Sequence, residues 1–420
     1  MIVSKTYEIP SCDDVELGIK RRSLLDFKLS YEDGKEIEAI IFIVPGLGDD
    51  ADANYREHLA EFVASEFNVA VASVNYHCIG NRPQTGSTFF MDEFDRKILS
   101  QECQKIGVGL TGDMSALENF DKMYQFLTNL DSHITQCKQN GSLSHEFIMH
   151  LPLTLAPTKN EYQNYGIMQA QDLINALLYI KSSALFKTKG EAKNLPCVMV
   201  GSSHGGYLVN MAAKVAPWQI DGVIDNSSYA IIPWRMIGFG KEIDYTKYCC
   251  FCAKEFFENI FIYGSDKTMW TLDKSSSNFF SQAHEDIRNV LNLQHLKEQS
   301  KQHKPIYVGY HCGVSDFIAP PQDKINLYDE LKNLGFDATL HLIKDQSEVD
   351  GRFIKNLTHG MGMSYKELIK KELALMLEKI SKQKQTRAKK SSISYISDNL
   401  IYKFTQKNDK IKLQISKISI

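Results

Sequence analysis

Gly201-Ser202-Ser203-His204-Gly205-Gly206-Tyr207 is where the chain's chemistry is most legible. The first five residues fit Gly-x-Ser-x-Gly, and their setting says more than the pattern. An apolar strand is expected over Cys197–Val200 and a helix over Gly206–Lys214, so Ser203 falls on a strand-to-helix turn. Such a turn lifts the serine Oγ clear of the sheet's carboxyl edge, and flanking glycines let strand and helix approach closely. A glycine-rich turn with a capping serine would carry the same letters without needing this setting.

A serine hydroxyl is a weak nucleophile at neutral pH and needs a base, which in turn needs an orienting acid. On a strand–elbow–helix scaffold they follow in the order Ser, Asp or Glu, His. The strand Pro305–Tyr310 runs into His311-Cys312-Gly313-Val314-Ser315-Asp316, which puts Asp316 just past a strand end. A later strand, Asp337–Ile343, leads through a loop to Asn356-Leu357-Thr358-His359-Gly360-Met361-Gly362, which puts His359 before the last helix. Asp225 also follows a strand, Glu348 and Asp350 lie nearer His359 in sequence, and His311 is a second base, so these stay open as alternatives. Two backbone N–H donors are also needed for a developing oxyanion. The expected ones are that of His204, after the nucleophile, and that of Leu47 in Pro45-Gly46-Leu47-Gly48-Asp49-Asp50.

Other motifs carry less. Cys249-Cys250-Phe251-Cys252 lacks a second pair of ligands at zinc spacing. Neither a P-loop nor a dinucleotide fingerprint occurs, and Asp49-Asp50 after Gly46-Leu47-Gly48 would repel a pyrophosphate. No cofactor and no metal are expected.

The elements that must position these residues alternate. Strands are expected at Ser4–Ile9, Ser23–Tyr31 and Glu38–Val44, the last two joined as a hairpin by Asp33-Gly34. Ala39–Val44 is apolar without alternation, as in a strand covered on both faces. A helix over Asn54–Phe67 and a strand over Val69–Val74 complete a parallel βαβ unit. Further helices are expected at Gly166–Ile180, Gln322–Leu334 and Ser364–Ile380, with a strand at Gly222–Ile224. The alternation predicts an α/β fold with a mainly parallel sheet. Two long segments, about 78–165 and 229–300, read as insertions that form a cap over the Ser203 pocket; the first holds a helix near Met114–Leu130. Their apolar groups, Phe89, Phe90, Trp234, Met236, Phe256 and Phe257, are candidates to line that pocket or to form the insertions' own core. The domain reading is therefore 1–380 with two insertions, then 381–420: a basic linker, Ser381–Lys390, and a hairpin of Leu400–Phe404 with Ile411–Ile415.

Composition excludes several classes. Of 420 residues, 43% are apolar and 24% charged, which fits a globular protein and not a disordered or fibrous one. Lys plus Arg is 48 and Asp plus Glu 51, so no strong field draws the chain to nucleic acid. No run is long and apolar enough for a membrane span, and the first residues do not read as a signal peptide. Nine scattered cysteines suit reduced thiols and a cytoplasmic location.

Taken together, Gly201-Ser202-Ser203-His204-Gly205-Gly206-Tyr207 and Gly313-Val314-Ser315-Asp316-Phe317-Ile318-Ala319-Pro320 resemble the α/β-hydrolase superfamily, most of all its prolyl-oligopeptidase-type and esterase members. The resemblance spans about 38–380 and implies Ser203 as nucleophile, Asp316 as acid and His359 as base. A fainter one is to hydrolase-like proteins of ε-proteobacterial surface-glycan loci. Pro45-Gly46 stands where many relatives have His-Gly, and the segment from Ile343 to His359 is long. The resemblance implies a serine hydrolase acting on a carboxylic ester, an O-acyl sugar among them. The alternatives are an acyltransferase or peptidase with the same triad, or a non-catalytic scaffold whose insertions bind a partner.

Overall fold

The computed structural model of the chain describes residues 1–52, 54–110, 114–248, 251–252, 257–383 and 391–418. The chain forms two compact units, one of residues 1–79, 164–232 and 281–420, the other of 80–163 and 233–280.

Eight strands make the central sheet of the first unit. They are β1 (Ile2–Ile9), β2 (Leu25–Glu32), β3 (Ala39–Val44), β4 (Val69–Asn75), β5 (Cys197–Ser202), β6 (Gly222–Asn226), β7 (Ile306–Cys312) and β8 (Ala338–Ile343). Their order in space is β1-β2-β4-β3-β5-β6-β7-β8. β2 pairs antiparallel with β1 and β4, and every pairing from β4 to β8 is parallel. The strands β3, β4, β6 and β7 are buried along their whole length, as strands with helices on both faces must be. Helices α1 (Asn54–Phe67) and α5 (Tyr365–Lys382) send Leu59, Val63, Leu368, Leu373 and Met376 into one core with Ile41, Val71, Val200 and Ile224. This unit also contains helices α2 (Ile167–Ser182), α3 (His204–Val215) and α4 (Pro321–Asn333). This is the α/β-hydrolase fold.

Two expectations need correction. Asp33-Gly34 does connect β2 to β3, but the strands are not a hairpin, because β4 lies between them. A short turn fixes a reversal of chain direction and not the partner; β3, apolar on both faces, takes the interior parallel position instead. The C-terminal hairpin is a three-stranded antiparallel sheet, Ser392–Ser397, Leu400–Lys407 and Lys410–Lys417. It belongs to the first unit: Tyr395, Tyr402 and Phe404 are buried, the Tyr395 hydroxyl donates to the Lys214 carbonyl, and the Tyr402 hydroxyl to Glu16. Of the basic linker, residues 384–390 lie outside the described residues.

The second unit gathers both inserted segments around its own sheet, in the order Thr88–Phe90, Met149–Ala156, Ile260–Asp266, Phe251–Cys252. Strand 149–156 from one segment pairs parallel with 260–266 from the other. The buried Lys241 ammonium joins the segments again by pairing with Asp92 and Asp95. The helix expected near Met114–Leu130 runs over Phe120–Gln139, because Asn119 caps it by accepting from the Lys122 N–H; a single tight turn, Ser115–Glu118, precedes it. Met123, Leu127, Leu130 and Ile134 form its buried stripe. Trp234 packs on Phe239 and Phe280 within this unit, while Phe256 lies outside the described residues. Among the described residues no helix is long and apolar enough to cross a membrane.

Candidate active site

Ser203 sits between β5 and α3 with φ 53° and ψ −122°, a left-handed φ that a non-glycine residue holds only under compulsion. Part of the compulsion is its own N–H, which donates to the Asn226 carbonyl at the end of β6 (2.8 Å). The rest is steric. A Cβ at Gly201 would overlap the Gly205 backbone, and one at Gly205 would overlap the Val44 and Pro45 carbonyls. Glycine is required here for close approach, and the approach brings the start of the β3–α1 loop, at Pro45, against the first turn of α3, at Gly205.

That loop is held on several sides. The Tyr76 hydroxyl donates to the Pro45 carbonyl (2.8 Å). Asp49 accepts from the Tyr55 hydroxyl and from the buried Arg56 guanidinium. His204 points its ring away into a closed network. Gln169 Nε2 donates to the His77 carbonyl, so Gln169 Oε1 is the acceptor for His204 Nε2–H (3.1 Å). His204 Nδ1 is then the acceptor for the Tyr229 hydroxyl.

Asp316 and His359 meet Ser203 in one hydrogen-bonded row. Asp316 Oδ2 lies 2.7 Å from His359 Nδ1, and Ser203 Oγ lies 2.7 Å from His359 Nε2. A carboxylate only accepts, so Nδ1 carries the ring proton and Nε2 is left bare to accept from the serine hydroxyl. The other Asp316 oxygen accepts the Ile318 and Ala319 N–H groups (3.1 and 3.0 Å). Burial raises the Asp316 pKa, but hydrogen bonds from His359 and Ala319 outweigh it and hold the carboxyl below its ordinary value. His359 rides on a turn in which Gly360 and Met361 both have positive φ, and Met361 is wholly buried beneath it.

The alternatives are engaged elsewhere. Asp225 is buried among Lys324, Asn210 and Ser228. His311 Nε2 faces the Ala319 carbonyl (2.8 Å). Glu348 accepts the Lys344 N–H, and Asp350 caps the N–H groups of residues 352–354. Cys249 and Cys250 lie outside the described residues, and among the described residues no group of three His, Cys, Asp or Glu could hold a metal ion.

One residue escaped sequence reasoning. Asn226 donates from Nδ2 to Ser202 Oγ and to the Gly360 carbonyl (both 3.1 Å). It therefore ties the serine turn to the histidine turn, and its only sequence signal is its place at the carboxyl end of β6.

The strand order, with a strained serine turn after the fifth strand and Asp316 and His359 on later strand-end loops, is that of the α/β-hydrolase fold. The chain belongs to the family described as "Protein of unknown function (DUF2920)", which matches residues 5–415. No curated protein matches it. Among solved structures it is similar to an esterase, Est22, at 10% identity and TM-score 0.43, over 91% of this chain and 81% of that one. It is also similar to brefeldin A esterase, a bacterial homologue of human hormone sensitive lipase, at 12% identity and TM-score 0.42, over 90% of this chain and 75% of that one. A third is the Pyrococcus horikoshii acylaminoacyl peptidase, at 13% identity and TM-score 0.42, over 91% of this chain and 42% of that one. At identities this low such likenesses say nothing of substrate.

Proposed function

We propose that the protein is a serine hydrolase that cleaves a carboxylic ester through an acyl-enzyme on Ser203. The observation that carries this reading is the unbroken hydrogen-bond chain from Ser203 through His359 to Asp316. Ser203 Oγ attacks the ester carbonyl as His359 Nε2 takes its proton, and Asp316 stabilises the imidazolium without taking a proton itself. The N–H groups of Leu47 and His204 stabilise the oxyanion. The imidazolium returns its proton to the leaving alkoxide. Water, deprotonated by the same histidine, then releases the acid and frees Ser203.

The test is a fluorophosphonate probe with the intact protein. Wild type is expected to carry one adduct on Ser203, and Ser203→Ala none, with an unchanged melting profile. Turnover of p-nitrophenyl esters is expected to vanish in the same variant. Near-wild-type kcat in Ser203→Ala would refute the nucleophile. O-acetylated sugars belong in the substrate panel, since an O-acyl sugar is the ester class we propose first. Acyl transfer to an added sugar alcohol in place of hydrolysis would make the enzyme an acyltransferase.

A further inference from the structure

We propose that the second unit contains a binding site for an uncharged, apolar molecule of about ten carbon atoms bearing one polar atom. This is argued from the second unit alone and not from the reading of Ser203: every described residue lining the cavity belongs to that unit.

The cavity measures about 300 Å³. Its walls are Met123 and Leu127 from helix Phe120–Gln139, Leu153 from strand Met149–Ala156 and Ile262 from strand Ile260–Asp266, all buried. The space opens to solvent at the exposed Thr88, Phe120 and Tyr124, yet its lining is almost wholly apolar, as in small-molecule sites. A cavity of about 150 Å³ lined by similar groups stays dry and takes up benzene; one twice that size suits a two-ring or equivalent hydrocarbon body. Among the described residues no charged side chain lines it, so a charged ligand would be stripped of water with nothing in exchange.

Two further observations point to a ligand. Ser87 lines the cavity at 6% exposure, and its hydroxyl has no hydrogen-bond partner among the described residues. Buried hydroxyls are almost always satisfied, and a polar atom on the ligand would complete this one. At the rim, Phe120 and Tyr124 remain 40% and 44% exposed although both lie on the lining, with their rings stacked at 6.0 Å. Half-exposed rings one helical turn apart beside an apolar cavity form the mouth of a ligand site.

The test is calorimetric titration of the full-length protein with 2-naphthol, a neutral molecule of the right bulk with one hydroxyl. Saturable one-to-one binding is expected, equal in wild type and Ser203→Ala. Naphthalene-2-sulfonate should bind at least tenfold more weakly, and Ser87→Ala should lose about fivefold. Leu127→Trp fills the cavity and Thr88→Trp plugs the mouth from an exposed position, and each should cost at least tenfold. If Leu127→Trp does not fold, Thr88→Trp decides. No saturable binding by wild type, equal binding of the sulfonate, unchanged affinity in a folded plugging variant, or binding lost with Ser203 would each overturn the proposal.

Discussion

Asp316 and Asp225 are both buried carboxylates at neighbouring strand ends, and their partners separate their roles. Asp316→Asn should lower kcat on the order of 10⁴-fold with little change in melting, since an amide in that place favours the wrong ring tautomer of His359. Asp225→Asn should do the reverse. It leaves the Lys324 ammonium buried without its carboxylate, a loss of about 3–5 kcal/mol, while the folded fraction keeps its kcat. Steady-state kinetics beside urea unfolding of both variants checks the pair, and exchanged outcomes would move the acid to β6. Asn226→Ala should reduce kcat on the order of 10²-fold, because a misplacement of about 1 Å is enough. KM should stay near wild type, and the fluorophosphonate labelling rate should fall in parallel with kcat. A fall in stability with kcat intact would leave Asn226 a structural residue only.

At the scale of elements, the serine turn and the β3–α1 loop work as a pair, and Gly205 is the place where they touch. Gly205→Ala must push the loop away, since the overlap is with backbone carbonyls that cannot rotate aside. We expect the Leu47 donor to be displaced and kcat to fall by about 10²–10³, the effect of losing one oxyanion donor; an active Gly205→Ala enzyme would place that donor elsewhere. The places of the serine turn, Asp316 and His359 in the fold were legible because each lies where a strand period gives way to a loop. The sheet's partner order was not, because Asp33-Gly34 names a turn and not a neighbour. Strand Met149–Ala156 escaped reading because Pro152, His150 and Thr154 interrupt its apolar run. The role of Asn226 had no compositional sign at all, since it depends on two turns far apart in sequence.

For the whole molecule, pH stability follows from buried neutral histidines. Burial, reinforced by the nearby Lys214 ammonium, lowers His295 to about 3, and its Nε2–H donates to the Ile396 carbonyl (2.8 Å). Burial likewise lowers His311 to about 4, with Lys324 adding to the effect. Both are neutral in the folded chain down to those values but charge near pH 6.5 when unfolded. Above about pH 6.5 they cost nothing. From there down towards their folded values the unfolded chain binds more protons, and each removes about 1.4 kcal/mol per pH unit. Asp316, held low when folded, acts with the same sign at more acid pH. The urea midpoint should be level from pH 8 to 6.5 and fall by pH 5, less than the histidines alone would give because burial raises Asp95 to about 6 and it takes up a proton in the folded chain, and His295→Gln should flatten part of the fall. A midpoint that rises on acidification would contradict this assignment.

The pairing of strand 149–156 with 260–266 bears on how the chain is made. On a ribosome the first inserted segment emerges early, yet the sheet it belongs to cannot close until the second follows, after β5 and β6 have been synthesised. Until then Leu151, Leu153 and their neighbours lack strand 260–266 and stay open to misassociation. Ser203 is translated before Asp316, and His359 after both, so the three can meet only when the strands of the central sheet have all been made.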